Sequence, residues 1–267
     1  MIFALLFGLS TTLVYAANEV NICSGPVGLA YAKVGDNIAN NVTLGAGFNL
    51  INQHTKGGVE NVQSVAKGVC QYGIAPERMV TERGFQKVGV VAKSMTMLVC
   101  SSNLVGKDTK TLSAIIDKQA VVAVGVQGSA ANWVWEEMVK EKPDLKKLNT
   151  VNVAFEEAKD DVVNGMIGCA FTATGLNSDI LSSLDNGKGF INIIDFDIFG
   201  TFSKPPGFKF ATLSSKEYPA LLKGWGSSVD VLTFDAVLFT QPSFGVNNPR
   251  VHALISTAVQ RLYGPKN

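Results

Sequence analysis

Three short segments of the chain offer the same chemistry. Ser24-Gly25-Pro26-Val27-Gly28, Lys56-Gly57-Gly58-Val59-Glu60-Asn61 and Gln127-Gly128-Ser129-Ala130-Ala131 each lead from an apolar, strand-like run into a helical pattern. Small residues expose backbone N–H groups there. A helix N-terminus carries partial positive charge, so such a turn can hold a carboxylate or other anion without a charged side chain. Ser24, Gly25 and Gly28 supply hydroxyl and backbone donors in the first turn. Gly58, Val59 and Glu60 open the second helix, with Glu60 complementing its dipole. Gln127, Gly128 and Ser129 supply donors in the third. Tyr31 is placed either to pack on or hydrogen-bond a ligand, or to face the core. Thr172 and Thr174 add hydroxyls after a later strand. Glu77 and Arg78 follow Pro76. Arg78 could take a carboxylate bidentately, with a surface ion pair to Glu82 or Lys87 as the alternative reading.

Other chemistries find little support. Gly45-Ala46-Gly47-Phe48-Asn49-Leu50 lacks the last glycine of a dinucleotide fingerprint and precedes a strand instead of following one. Gly125-Val126-Gln127-Gly128-Ser129 has no lysine for a P-loop, and no G-x-S-x-G elbow occurs. With two histidines, His54 and His252, a His-rich metal site is excluded. The carboxylate pairs Glu136/Glu137, Glu156/Glu157 and Asp160/Asp161 read as solvated helix faces. No catalytic residue, metal or cofactor is expected. An enzyme would have to draw an acid/base pair from His54, Glu77 and Cys23.

The 267 residues are 46% apolar and 17% charged, which excludes disorder and coiled coil. Lys and Arg number 23 against 22 Asp and Glu, with no run of like charge, so no nucleic-acid partner is expected. Residues 1–16 read as a signal peptide. Ile2 to Leu9 form its apolar region and Val14-Tyr15-Ala16 the cleavage site, although no Lys or Arg precedes them. The mature chain is therefore expected in the periplasm. Cys23, Cys70, Cys100 and Cys169 form no C-x-x-C. Export permits up to two disulfides in any of three connectivities. Each lies in an apolar run, as a buried thiol would, and for Cys169 the free thiol is the preferred reading.

The elements that must position these turns alternate. Strands are expected at 19–23, 48–52, 71–75, 94–101, 120–125, 151–155, 167–171, 208–213 and 229–239. Helices are expected at 29–40, 59–67, 130–140, 156–165 and 249–263. Short connections between alternating strands and helices predict an α/β fold with a mainly parallel sheet. Trp133 and Trp135 cannot share a helix face, so one should reach a cleft and the other the core.

Five segments in order resemble the TAXI-type solute receptors of tripartite (TRAP) transporters, which are periplasmic solute-binding proteins of the type II fold. They are Cys23 to Tyr31, Gly57 to Val62, Lys67 to Ala75, Val122 to Ser129 and Asn164 to Phe171. Pro76-Glu77-Arg78 stands where that family has small or amide residues, Ala130-Ala131 where it has Gly-Thr, and Gly168 where it has Asp. The resemblance implies two lobes, 18–93 with 208–267 and 94–207, joined by crossing strands. It also implies a small organic anion or amino acid bound between them, hinge closure on that ligand, and delivery of a monomeric receptor to membrane permease subunits. A dehydratase-like enzyme on the same fold, or a ligand receptor for a sensor, is the alternative.

Overall fold

The computed structural model describes residues 18–43, 45, 48–105, 111–175, 191–194, 196, 203–216, 218, 219, 222 and 228–265. The signal-peptide reading of residues 1–16 lies outside them.

Three parallel strands start the fold: β1 (Asn18–Cys23), β2 (Phe48–Gln53) and β3 (Tyr72–Pro76). Helix α1 (Ala30–Asn41) and helix α2 (Gly58–Ala66) connect them. Tyr31, Val34 and Ile38 recur at helical spacing and are buried, which presses α1 onto the sheet. Val62 and Val65 do the same for α2, whereas Ala66 is exposed. Gly68 ends that turn at φ +74°, a backbone that favours glycine. A short helix α3 (Glu77–Thr81) leads into β4 (Gln86–Ser101), which starts well before the expected Ser94.

The second half repeats the pattern with α4 (Ser102–Val105), α5 (Leu112–Asp117), β5 (Val121–Ala123), α6 (Ala130–Glu141) and β6 (Asn149–Val151). Helix α7 (Phe155–Val163) and strands β7 (Cys169–Gly175), β8 (Ile191–Ile193), β9 (Lys209–Ser214) and β10 (Ser228–Thr240) complete it. The strand expected at 151–155 stops at Val151. Ala154 is instead the extended residue before α7, and Phe155, buried, anchors that helix. Helix Pro249–Tyr263 closes the chain as expected, but Asn248 does not cap it; its side-chain amide donates to the Phe244 carbonyl.

Ten strands among the described residues share one sheet, with main order β2-β1-β3-β10-β4-β7-β5-β6. The two long strands, β4 of 16 residues and β10 of 13, run antiparallel through its middle and belong to both halves. Ala236 to Thr240 pair with β3, whereas Ser228 to Thr233 pair with β9. Apolar cores lie on both faces of each half. Ile22, Ile38 and Tyr72 fill one in the first half, and Val122, Trp135 and Phe171 fill one in the second.

All four cysteines are paired, Cys23 with Cys70 and Cys100 with Cys169, so the free thiol expected for Cys169 is corrected. Antiparallel pairing of β4 with β7 sets Cys100 directly opposite Cys169, with their Cα atoms 4.0 Å apart. No local pattern encodes that register across a sequence separation of 69.

Candidate functional site

The N-termini of α1, α2, α6 and α7 converge on one chamber of about 140 Å³ at the carboxyl end of β5. Strand β7 pairs with β5 only at Cys169 and Ala170, so Phe171 to Thr174 run on past it and form the chamber wall. Ser94, at the crossing of β4, lies on the wall as well. The first half contributes Pro26, Leu29, Ala30 and Tyr31, with Lys56 and Gly57. The second half contributes Gly125, Val126 and Ser129 to Ala131, with Ala154 to Glu156.

Apolar or glycine N-caps leave much of this ring of helix ends open. Leu29, Gly57 and Ala154 precede α1, α2 and α7, and none makes a side-chain cap. The first-turn N–H groups of those helices therefore receive no capping side chain. Ser129 differs: its Oγ accepts the Asn132 N–H at 3.1 Å and caps α6.

Packing fixes the loops. Asn61, fully buried, donates through its amide to the carbonyls of Ser24 and Ile74, the latter at 2.7 Å, and so ties the first turn to β3. The Lys56 N–H donates to the Glu60 carboxylate at 2.6 Å. Gly125, at φ +84°, admits the start of α6; a Cβ there would lie 2.9 Å from Ser129 Oγ. Gly25 does the same for Tyr31, whose Cβ would be 3.0 Å away.

Of the sequence-predicted residues, the structure brings Tyr31, Ser129, Thr172 and Thr174 together on the chamber wall. The others have different places. Ser24 is fully buried and donates to the Gln53 carbonyl. Gly28 and Gln127 face solvent. Gly58 packs on Pro76, where a Cβ would approach Cδ to 2.9 Å. The Val59 N–H donates to the Gly128 carbonyl at 3.2 Å, a contact between the two halves. Glu60 holds the backbone of its own turn.

Glu77 and Arg78 stand apart from the chamber, in a second cavity of about 440 Å³ with Trp133, Phe208 and Phe234. Glu77 pairs with Lys87 at 2.6 Å. Arg78 pairs with Glu82 at 2.7 Å, with Glu137 at 2.8 Å, and donates to the Pro206 carbonyl at 3.2 Å. The ion-pair reading of both residues therefore describes them as they stand. Burial acts against the Arg78 charge, and Glu82 with Glu137 more than offset it, so its pKa is raised. Glu137 is 4% exposed, which corrects the solvated reading of Glu136/Glu137: Arg78 and Lys140 both pair with it. Trp133 reaches this corner and stacks on Phe208, whereas Trp135 is core against Phe171.

Sequence reasoning missed Lys56, Ser94, Phe155, Glu156 and Phe171 as chamber residues. Lys56 stood inside a quoted turn. The Ala154-Phe155-Glu156 turn carries no glycine and so resembled none of the others. Of the candidates for an acid/base pair, Cys23 is in a disulfide, Glu77 is ion-paired, and His54 does not line the chamber.

Tyr31 is the most informative residue. Its ring packs in the core of the first half, and it is 8% exposed. Its Oη is buried without a hydrogen-bond partner. Burial pushes the phenol up, and the adjacent Ser94 hydroxyl acts against this to a lesser degree. The Ser94 hydroxyl is the polar group beside it.

No protein-family model matches the chain, and no curated protein matches it by sequence. Solved structures do match. A Bordetella bronchiseptica RB50 protein is 16% identical over 91% of this chain and 70% of its own, with a TM-score of 0.53. A mutant of the OxyR2 regulatory domain from Vibrio vulnificus is 15% identical over 92% and 97%, with a TM-score of 0.50. The periplasmic sulfonate-binding protein SsuA from Methylobacillus flagellatus KT is 18% identical over 93% and 69%, with a TM-score of 0.48. The fold is the two-lobe periplasmic-binding-protein type II fold. The chamber is lined by residues of the first and the second half of the chain. Among the described residues no helix is long and apolar enough to cross a membrane, and no cluster of His, Cys, Asp or Glu could hold a metal.

Proposed function

We propose that this chain is an extracytoplasmic solute receptor that closes its lobes around a small organic anion or amino acid and delivers it to a membrane transporter. The observation that carries this reading is the ring of helix N-termini around a chamber between the two halves of the chain. Contacts between the lobes fit a closed state: the Val59 N–H meets the Gly128 carbonyl, and Arg78 meets Glu137. A ligand would favour that state by its differential affinity. The ordered match to TAXI-type receptors supports a TRAP transporter as the recipient. The apolar segment at 2–9 with small residues at 14 and 16 supports export and cleavage near Ala16. Binding without turnover is supported by the ordinary roles of Cys23 and Glu77.

A thermal-shift screen of the mature protein against carboxylates and amino acids tests the reading. A ligand at 100 times its Kd should add about 2.7 kcal/mol and be recovered unchanged. A stabilising compound that is consumed would make the protein an enzyme. No shift with any small molecule would remove the receptor reading.

A further inference from the structure

The contact between the two halves at the Arg78 corner is built so that it can part. Trp133 and Glu137 stand four residues apart on α6 and so share a face of that helix. This face meets the first half of the chain at two points. Trp133, half-buried, packs against the apolar cluster that includes Val62, Met79 and Val80, and also against the core of the second half. Glu137 takes the Arg78 guanidinium at 2.8 Å. Each of the two charges has a second partner in its own half. Arg78 has Glu82, one helical turn on, at 2.7 Å, and Glu137 has Lys140, also one turn on. A buried ion stripped of its partner is costly, but neither ion would be stripped bare if the halves separated. Packing at the contact is loose as well. The cavity of about 440 Å³ lies against Arg78, Glu82 and Trp133, where a protein core would leave no such space.

We infer that Arg78 and the Trp133/Glu137 face of α6 form a separable latch, which holds the two halves together before any guest arrives and releases by returning each charge to its own half. This rests on the closure in the receptor reading and adds what sets its resting balance. Closed, Glu137 is buried, and Arg78 bridges to it and to the Pro206 carbonyl. Open, Glu137 regains water beside Lys140, and Arg78 keeps Glu82. The bridge exists in one arrangement only, and that difference is what lets it bias the two. The neighbouring pair of Glu77 with Lys87 lies wholly within the first half and is indifferent to opening.

The test is small-angle X-ray scattering and tryptophan emission of the guest-free mature protein. The wild type should be compact. Arg78→Gln and Glu137→Gln should each raise the open-to-closed ratio about tenfold, as the loss of one charge-assisted hydrogen bond would. The readouts are a larger radius of gyration, a red shift and stronger quenching by acrylamide. Adding Trp133→Phe to each variant should remove most of the shift and so assign it to that ring. Glu77→Gln should change none of these. Arg78→Ala combined with Glu137→Leu, which trades the ions for apolar contact, should return the compact form. Circular dichroism confirms that each variant is folded. An extended wild type, or an unchanged radius and emission in folded Arg78→Gln and Glu137→Gln, would overturn the latch. The ligand screen separates the two failures: a protein that a small molecule still stabilises loses the latch alone, whereas one that none stabilises loses the receptor reading.

Discussion

Two cavities are lined by residues of both halves of the chain, and they solve the same electrostatic problem in opposite ways. The Arg78 corner is rich in charge and satisfied: Arg78 meets Glu82, Glu137 and the Pro206 carbonyl, and Glu77 meets Lys87. The chamber is poor in charge and open: three of its four helix ends lack side-chain caps. Charge alone made Arg78 an attractive ligand anchor in the sequence. Its partners show that a charged group already held by its own protein has little left to offer a guest.

The largest test of that contrast is Arg78→Ala. Glu137 would stay buried with only the exposed Lys140 beside it, and removing one member of a buried pair costs about 3 kcal/mol or more. Urea unfolding should show that loss. Arg78→Ala combined with Glu137→Leu should recover much of it. Ligand-induced stabilisation should persist in both. If Arg78→Ala instead abolishes binding while stability holds, the corner is the anchor and the contrast fails.

Alkaline pH probes the chamber from the other side. Burial raises the Tyr31 phenol above its ordinary value near 10, and Tyr72 and Tyr263 are raised by burial too. An acid with a raised folded pKa contributes its full stability below the unfolded pKa and loses it as pH climbs toward the folded one. Stability should therefore be flat with respect to these groups below pH 10 and fall above it, by up to about 1.4 kcal/mol per pH unit for each of Tyr31 and Tyr72 and by less for the half-buried Tyr263. Tyr31→Phe should make the decline shallower by one such contribution, near 2 kcal/mol across one and a half units. At pH 7 it should match or exceed the wild type. A loss of stability at neutral pH would show that the hydroxyl has a partner after all.

Local and distant determinants divide the sequence into what it reveals and what it hides. The strand-to-helix turns were legible because glycines and small residues follow apolar runs, and the crossing strand β10 was legible from the apolar residues that recur from Val229 to Phe239 around Asp230, Thr233 and Asp235. Helix α7 was misplaced at its start because Ala154-Phe155 carries neither a glycine nor a polar cap. Burial of Glu137 was hidden because its partner Arg78 arrives from the other lobe. Pairing of Cys100 with Cys169 depends on antiparallel register, which no local pattern records. Tyr31, Ser129, Thr172 and Thr174 were found from residue type and position; Ser94 was missed because nothing in a long strand marks the point where it crosses a cavity.

A smaller effect is expected at Ser129. Its Oγ caps α6 through the Asn132 N–H, so Ser129→Ala should cost about 1 kcal/mol by urea unfolding. The lost cap also exposes the first turn of α6 as the other three helices already are. Stability and anion affinity should then move independently, with affinity changing less than twofold if backbone N–H groups, not the hydroxyl, meet the ligand.

The smallest change in stability, and the sharpest separation of the two cavities, belongs to Lys56. Its side chain is exposed and makes no ion pair among the described residues, in contrast to Arg78. Lys56→Ala should leave unfolding within about 0.5 kcal/mol of wild type. Its consequence should appear only with an anionic guest present, as a several-fold loss of affinity that shrinks as salt is raised, because an exposed charge is screened over about 10 Å at 0.1 M ionic strength. Arg78→Ala should show the reverse pattern, a large stability loss with little salt dependence in binding. Measured side by side, the two variants separate a cation that holds the lobes from a cation that waits for a ligand. If both behave alike, the distinction between a satisfied corner and an open chamber fails.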